Sequence, residues 1–206
     1  MLTRSILLLG PTGAGKSPLG NQVEKHGISG KRCFHFDFGH ELRNVAELPL
    51  PPDGFSENDL SFVRDVLDKG LLLENEHFHI AGKIVHYFLR RNAFREDTLL
   101  ILNGLPRHAD QAKDMSGIVA VKSLVVLECA PEEVCRRIAL NSGRDRSGRV
   151  DDSLDMIRKK LEIFNARTAP LIGYYSHMGC DILKIRITAD STPEDAYDAF
   201  IAAYGD

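Results

Sequence analysis

The chain has 206 residues, is 43% hydrophobic, and carries 26 Lys and Arg against 29 Asp and Glu, for a formal charge of −3. Such a length suits one domain, 1–206, with room for a small inserted lobe and a substantial core. The slightly negative balance disfavours broad binding to nucleic acid or to a membrane surface, and no apolar stretch approaches a membrane span.

The first apolar run, 6–9, has the length of a buried strand. It is too short for a signal peptide. It leads straight into Gly10-Pro11-Thr12-Gly13-Ala14-Gly15-Lys16-Ser17, a complete match to G-x-x-x-x-G-K-[ST]. Residues 16–26 have helical character, so the motif sits in the strand–loop–helix context that a phosphate-binding loop requires. The glycines let backbone N–H groups point at phosphate oxygens, and the helix start adds the positive end of its dipole. Lys16 is expected to bridge the outer phosphates and Ser17 to offer its hydroxyl to Mg²⁺.

Further along, 33–36, 99–102, 124–127 and 182–187 read as strands. Helical character recurs over 57–69, 74–91, 111–116, 131–140, 153–175 and 193–204. Gly70 is a helix stop, and Pro131 followed by two Glu is a helix start. Residues 49–54, rich in Pro, form a surface loop, and the arginine-rich 141–150 is a charged loop. Strands alternating with helices predict a parallel sheet covered on both faces. The four cysteines, at 33, 129, 135 and 180, are widely spaced without a C-x-x-C pair, which points to a reducing cytoplasm and excludes a zinc pattern. His77, His79 and His86 lack a completing carboxylate or cysteine and read as ordinary histidines. Asp37-Phe38-Gly39 spells a protein-kinase metal motif, but no protein-kinase glycine loop accompanies it, so it is read as coincidence.

Five more segments fall into register with the phosphate loop: Phe38-Gly39-His40-Glu41-Leu42-Arg43; Gly104-Leu105-Pro106-Arg107 with Gln111; Arg137; Gly148-Arg149-Val150-Asp151-Asp152; and Thr168-Ala169-Pro170-Leu171-Ile172-Gly173-Tyr174-Tyr175. In this order and spacing the chain resembles the adenylate kinase family of nucleoside monophosphate kinases. The resemblance spans nearly the whole chain. It implies a three-layer α/β P-loop kinase with a five-stranded parallel sheet in the order 2-3-1-4-5, an acceptor-binding helical lobe over 38–83 and a short lid over 141–150. It implies transfer of the ATP γ-phosphoryl group, with Mg²⁺, to a nucleoside monophosphate, AMP foremost, by a cytoplasmic monomer.

The same resemblance implies roles. Gly10, Thr12, Gly13, Ala14, Gly15, Lys16 and Ser17 would hold the ATP phosphates. Arg43 and Arg107 would clamp the monophosphate. Phe38, Gly39, Gly70, Leu73, Gly104 and Gln111 would line the acceptor pocket, with Gln111 reading the base. Arg137 would lie against the donor adenine or its phosphates. Arg144, Arg146 and Arg149 would reach in from the lid, Asp151 and Asp152 would steady them, and Lys160 would contact phosphate from the long helix. Arginine suits these places because its planar fork binds phosphate through two parallel hydrogen bonds.

The chain departs from the family pattern where His40 and Asn103 stand in place of two outer-shell acids of Mg²⁺, with Asp37 or Glu41 as candidate substitutes. An Asp at 103 is therefore expected to raise Mg²⁺ affinity. Phe38 replaces a small residue, Lys160 an arginine, and Ser17-Pro18 a Gly-Thr pair. Two alternatives follow: a P-loop kinase for UMP, CMP or another small acceptor, and a nucleotide-binding regulator without turnover.

Overall fold

A computed structural model describes residues 2–69, 73, 75–92, 94–95, 97–145 and 153–205. Gly70, Arg146, Gly148, Arg149, Asp151 and Asp152, singled out above, lie outside the described residues.

Among the described residues five strands, β1 (Thr3–Leu9), β2 (Cys33–Asp37), β3 (Leu99–Asn103), β4 (Val119–Glu128) and β5 (Asp181–Arg186), form one sheet in the order β2-β3-β1-β4-β5. All four pairings are parallel, as the apolar runs separated by helices require. Side chains alternate across the sheet, so each strand feeds two cores. Leu7 and Leu9 of β1 face one core with Phe36, Leu100, Leu102 and Leu124. Ile6 and Leu8 face the other, with Leu19 and Val23 of α1 (Lys16–His26) and Phe200 of α9 (Pro193–Gly205). The first core is closed by α2 (Phe38–Ala46), α3 (Glu57–Asp68), α4 (Phe78–Arg91), α5 (Ala109–Met115) and α8 (Leu171–His177). Two further helices, α6 (Pro131–Leu140) and α7 (Leu154–Ile163), follow β4.

Four elements differ from the sequence expectation. The helix expected over 153–175 is broken: α7 ends at Ile163, a π-helical stretch covers Phe164–Thr168, and α8 restarts after Pro170. Pro170 has no N–H to give, and its ring would meet the carbonyl four residues earlier. The helix expected from 74 begins only at Phe78, behind a 3₁₀ turn at Asn75–His77. The strand expected at 124–127 runs from Val119 to Glu128, because Lys122 and Ser123 interrupt an apolar pattern that hydrogen bonding carries through, with a register shift opposite Ser5 and Ile6. Helix α2 lies where the apolar pattern marks no helix, within the helical lobe that the resemblance implies over 38–83. It starts where Asp37 caps it, the Oδ1 atom accepting from the His40 N–H at 3.1 Å.

Helices α3 and α4 are pinned by a capped carboxylate. Ser56 caps α3, and Asp59 reciprocates, its Oδ2 accepting from the Ser56 N–H at 2.6 Å and Oγ–H at 2.8 Å. Lys83 of α4 donates to the same oxygen at 2.6 Å. Burial works to raise the Asp59 carboxyl, but the Lys83 and Ser56 hydrogen bonds outweigh it and hold its pKa at about 2, below the ordinary 3.8. A carboxyl depressed by folding stabilises the fold above its unfolded pKa and loses that contribution as pH falls through its folded one. Asp59→Asn is therefore expected to lower unfolding stability by about 1–2 kcal/mol at neutral pH. Urea titrations should show the gap between parent and variant shrinking as pH falls from about 4 towards 2.

Candidate active site

The phosphate loop leaves β1 at Leu9 and enters α1 at Lys16. Gly13 and Gly15 sit at φ +76° and +93°, a left-handed backbone that few side chains tolerate. A Cβ on Gly13 would meet Ile138 at 2.9 Å, and one on Gly15 would meet Arg137 Nη2 at 3.3 Å, so the loop is pressed onto α6. Ala14, fully buried, anchors it in the core. Lys16 Nζ folds back over the loop and donates to the Gly10 and Pro11 carbonyls at 2.7 and 2.8 Å. The Lys16 and Ser17 N–H groups open the first turn, where helix donors have no intrahelical partner. Pro18 is third in that turn, where its missing N–H removes no helix hydrogen bond. Thr12 is half-buried at the loop's tip.

Beside the loop, three polar side chains meet. Asp37 ends β2 and Asn103 ends β3, paired in register. Ser17 Oγ–H donates to Asp37 Oδ2 at 2.5 Å; Asn103 Nδ2 donates to the same oxygen at 2.7 Å and to Ser17 Oγ at 3.0 Å. Burial works to raise the Asp37 carboxyl, yet the hydrogen bonds from Ser17 and the His40 N–H, with the nearby Arg43 charge, hold it below the ordinary carboxylate value. Glu41, the other candidate substitute for a missing acid, is ruled out by its setting. It is buried and takes hydrogen bonds from Arg91 on both oxygens, at 2.8 and 2.9 Å. His40 itself is exposed and serves α2 through its backbone N–H.

A phosphate-bound Mg²⁺ keeps several waters and takes one or two carboxylates, with no all-protein cage. No cluster of three or more His, Cys, Asp or Glu ligands exists among the described residues. A hydroxyl, one carboxylate and one amide at the mouth of the loop fit such an ion.

Both predicted acceptor arginines stand at neighbouring strand ends. Arg43 is exposed on α2, and a Cβ on Gly39 would stand in ordinary contact with both its Nη1, at 3.7 Å, and Asp37 Oδ1, at 3.5 Å, so the two side chains flank the same glycine. Arg107 follows β3. It is exposed, and its Nε donates to the Gly104 carbonyl at 2.9 Å. A Cβ on Gly104, at φ +82°, would touch Phe38 Cβ at 3.4 Å.

Other expected residues are placed differently. Arg137 is 3% exposed and directs its donors at backbone, to Gly13 O at 3.1 Å, Thr188 O at 2.6 Å and Ser191 O at 2.7 Å. It ties the loop to the turn after β5; several fixed donors on one head suit it to three carbonyls. Gln111 is buried with its amide committed, Oε1 accepting from the Arg107 N–H at 2.9 Å and Nε2 donating to Leu73 O at 3.0 Å. Phe38 does not line an open pocket: its ring is 6% exposed in the core, 6.3 Å from Phe36. Arg144 leans towards Glu194 at 3.7 Å, an exposed pair of little energetic weight. Lys160 is half-buried on α7. His77 stacks on Phe62, and His86 bonds the Gly82 carbonyl, in keeping with ordinary histidines.

One contact beneath the site is not apparent in the sequence. Gly20 of α1 lies flat on the imidazole of His35, and any Cβ there would run into the ring. His35 bonds Asn21 Oδ1 through Nδ1 at 2.9 Å, and burial lowers its pKa. The available signal is a glycine inside a helical pattern, which marks close approach. Gly20→Ala is expected to cost about 1–3 kcal/mol and to weaken ATP binding, because α1 carries Lys16 and Ser17. Adding His35→Ala should recover part of both losses in thermal melts and ATP titrations.

No protein-family model matches the chain. Curated relatives do. The chain is 30% identical over 182 residues to an adenylate kinase of Xylella fastidiosa strain M23, covering 84% of this chain and 86% of that one. It is 31% identical over 183 residues to an adenylate kinase of Stenotrophomonas maltophilia strain R551-3, with the same coverage. With an adenylate kinase of Thermus thermophilus it shares 26% over 207 residues, 98% of this chain and 97% of that one. Among the described residues no helix is long and apolar enough to cross a membrane. With its phosphate loop at the head of a 2-3-1-4-5 sheet and this extent of shared sequence, the chain belongs to the adenylate kinase family and is an ATP-dependent phosphotransferase of the nucleoside monophosphate kinase type.

Proposed function

We propose that the protein transfers the γ-phosphoryl group of ATP to AMP. The observation that carries this is the placing of Lys16 on the loop after β1, Arg43 on the helix after β2 and Arg107 after β3 at one edge of the sheet, where Asp37 is bonded to Ser17. Parallel α/β sheets bind ligands beyond the carboxyl ends of their strands, and these residues ring that edge. The relatives named above, all adenylate kinases, favour AMP as acceptor.

In this reading the chain works by positioning and by positive charge. ATP lies in the cradle of loop N–H groups. Lys16 gives up its hold on the Gly10 and Pro11 carbonyls and spans the outer phosphates. Arg43 and Arg107 grip the acceptor phosphate and turn one oxygen in line with the γ-phosphorus. That oxygen forms the new P–O bond as the bond to the β-phosphate oxygen breaks, leaving two diphosphates and no covalent enzyme intermediate. Mg²⁺ on ATP would draw negative charge from the phosphates, and Ser17, with Asp37 and Asn103 behind it, would hold it. Arg137 supports the donor side from beneath, through Gly13. We assign 38–83 to the acceptor lobe and 141–150 to the lid, with Arg144, Arg146, Arg149 and Lys160 drawn towards phosphate as the lid shuts out water, and Asp151 and Asp152 steadying it.

A second reading, a kinase for UMP, CMP or another small acceptor, is favoured by the Gln111 amide, already committed to Leu73 and Arg107, and by the Phe38 ring held in the core. A regulator without turnover loses half its motive, because one carboxylate, at 37 and bonded to Ser17, stands for the two missing at 40 and 103.

ADP formation from ATP, assayed with AMP, GMP, UMP and CMP in parallel, tests the choice. AMP should exceed every other acceptor by about tenfold or more in kcat/KM, a difference of about 1.4 kcal/mol; a pyrimidine preferred over AMP would install the second reading. Lys16→Ala should cut kcat roughly 10²-fold or more. Arg107→Ala should raise the KM for the acceptor well beyond that for ATP, and equal effects on both would remove it from the acceptor side.

A further inference from the structure

We propose that Asp37, at the end of β2, is the carboxylate through which this chain positions the metal of metal–ATP, with Asn103 as its neutral partner on β3. The inference rests on the function proposed above and concerns how that site holds its ion.

Three observations carry it. The carboxylate accepts from Ser17 Oγ–H at 2.5 Å. A hydroxyl that donates its proton to a carboxylate keeps its lone pairs for acceptance; the Asn103 amide takes one, and the other is left for a cation. Next, the Asn103 amide donates to both Asp37 Oδ2 and Ser17 Oγ, at 2.7 and 3.0 Å, so one Nδ2 group fixes both rotamers. Finally, the sheet sets the pair by register, Asp37 opposite Asn103, and the α2 cap holds the other oxygen through the His40 N–H.

Asn at 103 is then required rather than tolerated. A carboxylate there would face another at hydrogen-bond distance and would offer no proton to Asp37 Oδ2 or Ser17 Oγ, so both rotamers would lose the donor that fixes them. The sequence expectation that Asn103→Asp raises Mg²⁺ affinity is reversed by this geometry. With Asn at 37 as well, the charge simply moves to the neighbouring strand. The residue at 103 is already within 3.0 Å of Ser17 Oγ, and Asn caps helices as well as Asp does. Asp37 is thus a positioning residue, acting through Ser17 and the ion's waters.

The test uses Mn²⁺ as a paramagnetic probe, titrated against each folded variant with equimolar ATP at a concentration that keeps the nucleotide bound. Free Mn²⁺ is read from its EPR amplitude. Asp37→Asn should weaken Mn²⁺ binding about tenfold or more, the usual cost of losing an outer-shell partner. Metal-free ATP binding should change by no more than about twofold, since the loop and Lys16 hold the nucleotide. Asn103→Asp alone should also weaken Mn²⁺, and the double variant Asp37→Asn with Asn103→Asp should return to within about threefold of the parent, since it restores one carboxylate beside one amide. If Asp37→Asn does not fold, the comparison of the parent with Asn103→Asp and the double variant decides the matter alone. Unchanged Mn²⁺ affinity in Asp37→Asn, or a double variant that binds it no better than Asn103→Asp, overturns the proposal. Should the variants show these Mn²⁺ shifts while the parent phosphorylates no monophosphate, the assignment of Asp37 stands and the function proposed above falls.

Discussion

Gathering cations at one edge of a protein costs energy unless something of opposite sign holds them there. In this chain that something is Asp37. It ends β2 beside the loop, with Arg43 on the helix that follows and Arg107 after the neighbouring strand, and it accepts hydrogen bonds from Ser17 and Asn103. Lys16 is likewise occupied, closing on the Gly10 and Pro11 carbonyls. A polyphosphate brings its own negative charge and can take over these partners, so the site is arranged for an exchange of hydrogen bonds rather than for their creation.

The sheet makes this arrangement possible. Parallel strands in the order β2-β3-β1-β4-β5 bring the ends of β2 and β3 beside the loop that follows β1. Residues 17, 37 and 103, far apart in the chain, then lie within hydrogen-bond reach. The loop is supported from the far side by Arg137, which links Gly13 to the turn after β5. The same logic explains Gly20: α1 can approach β2 closely enough to deliver Ser17 to Asp37 only if nothing projects towards His35.

Much of this is legible in the residues. The loop motif identifies itself because its chemistry needs glycine, lysine and serine at fixed spacing, and apolar runs mark all five strands to within a few residues. Hydrogen bonding to backbone is not legible. Arg137 and Gln111 spend their donors on carbonyls, and a carbonyl carries no side-chain signature in sequence. Nor does residue type reveal which way a ring turns, so Phe38, expected at a pocket, lies in the core. Asp37 stands in sequence as one of two candidate substitutes, beside Glu41, and its pairing with Asn103 becomes visible only once strand register is known. The broken helix is foreseeable from Pro170, although the helical pattern on either side of that proline runs on without interruption.

The most direct measurement is a crystal structure with a dinucleoside pentaphosphate, which spans donor and acceptor positions in one molecule. Its phosphate chain is expected to run from the loop N–H groups and Lys16 across to the guanidinium groups of Arg43 and Arg107, with the carboxylate of Asp37 facing the bound cation. A phosphate chain lying elsewhere, with both guanidinium groups turned to solvent, would contradict the convergence of charge on which the whole reading depends.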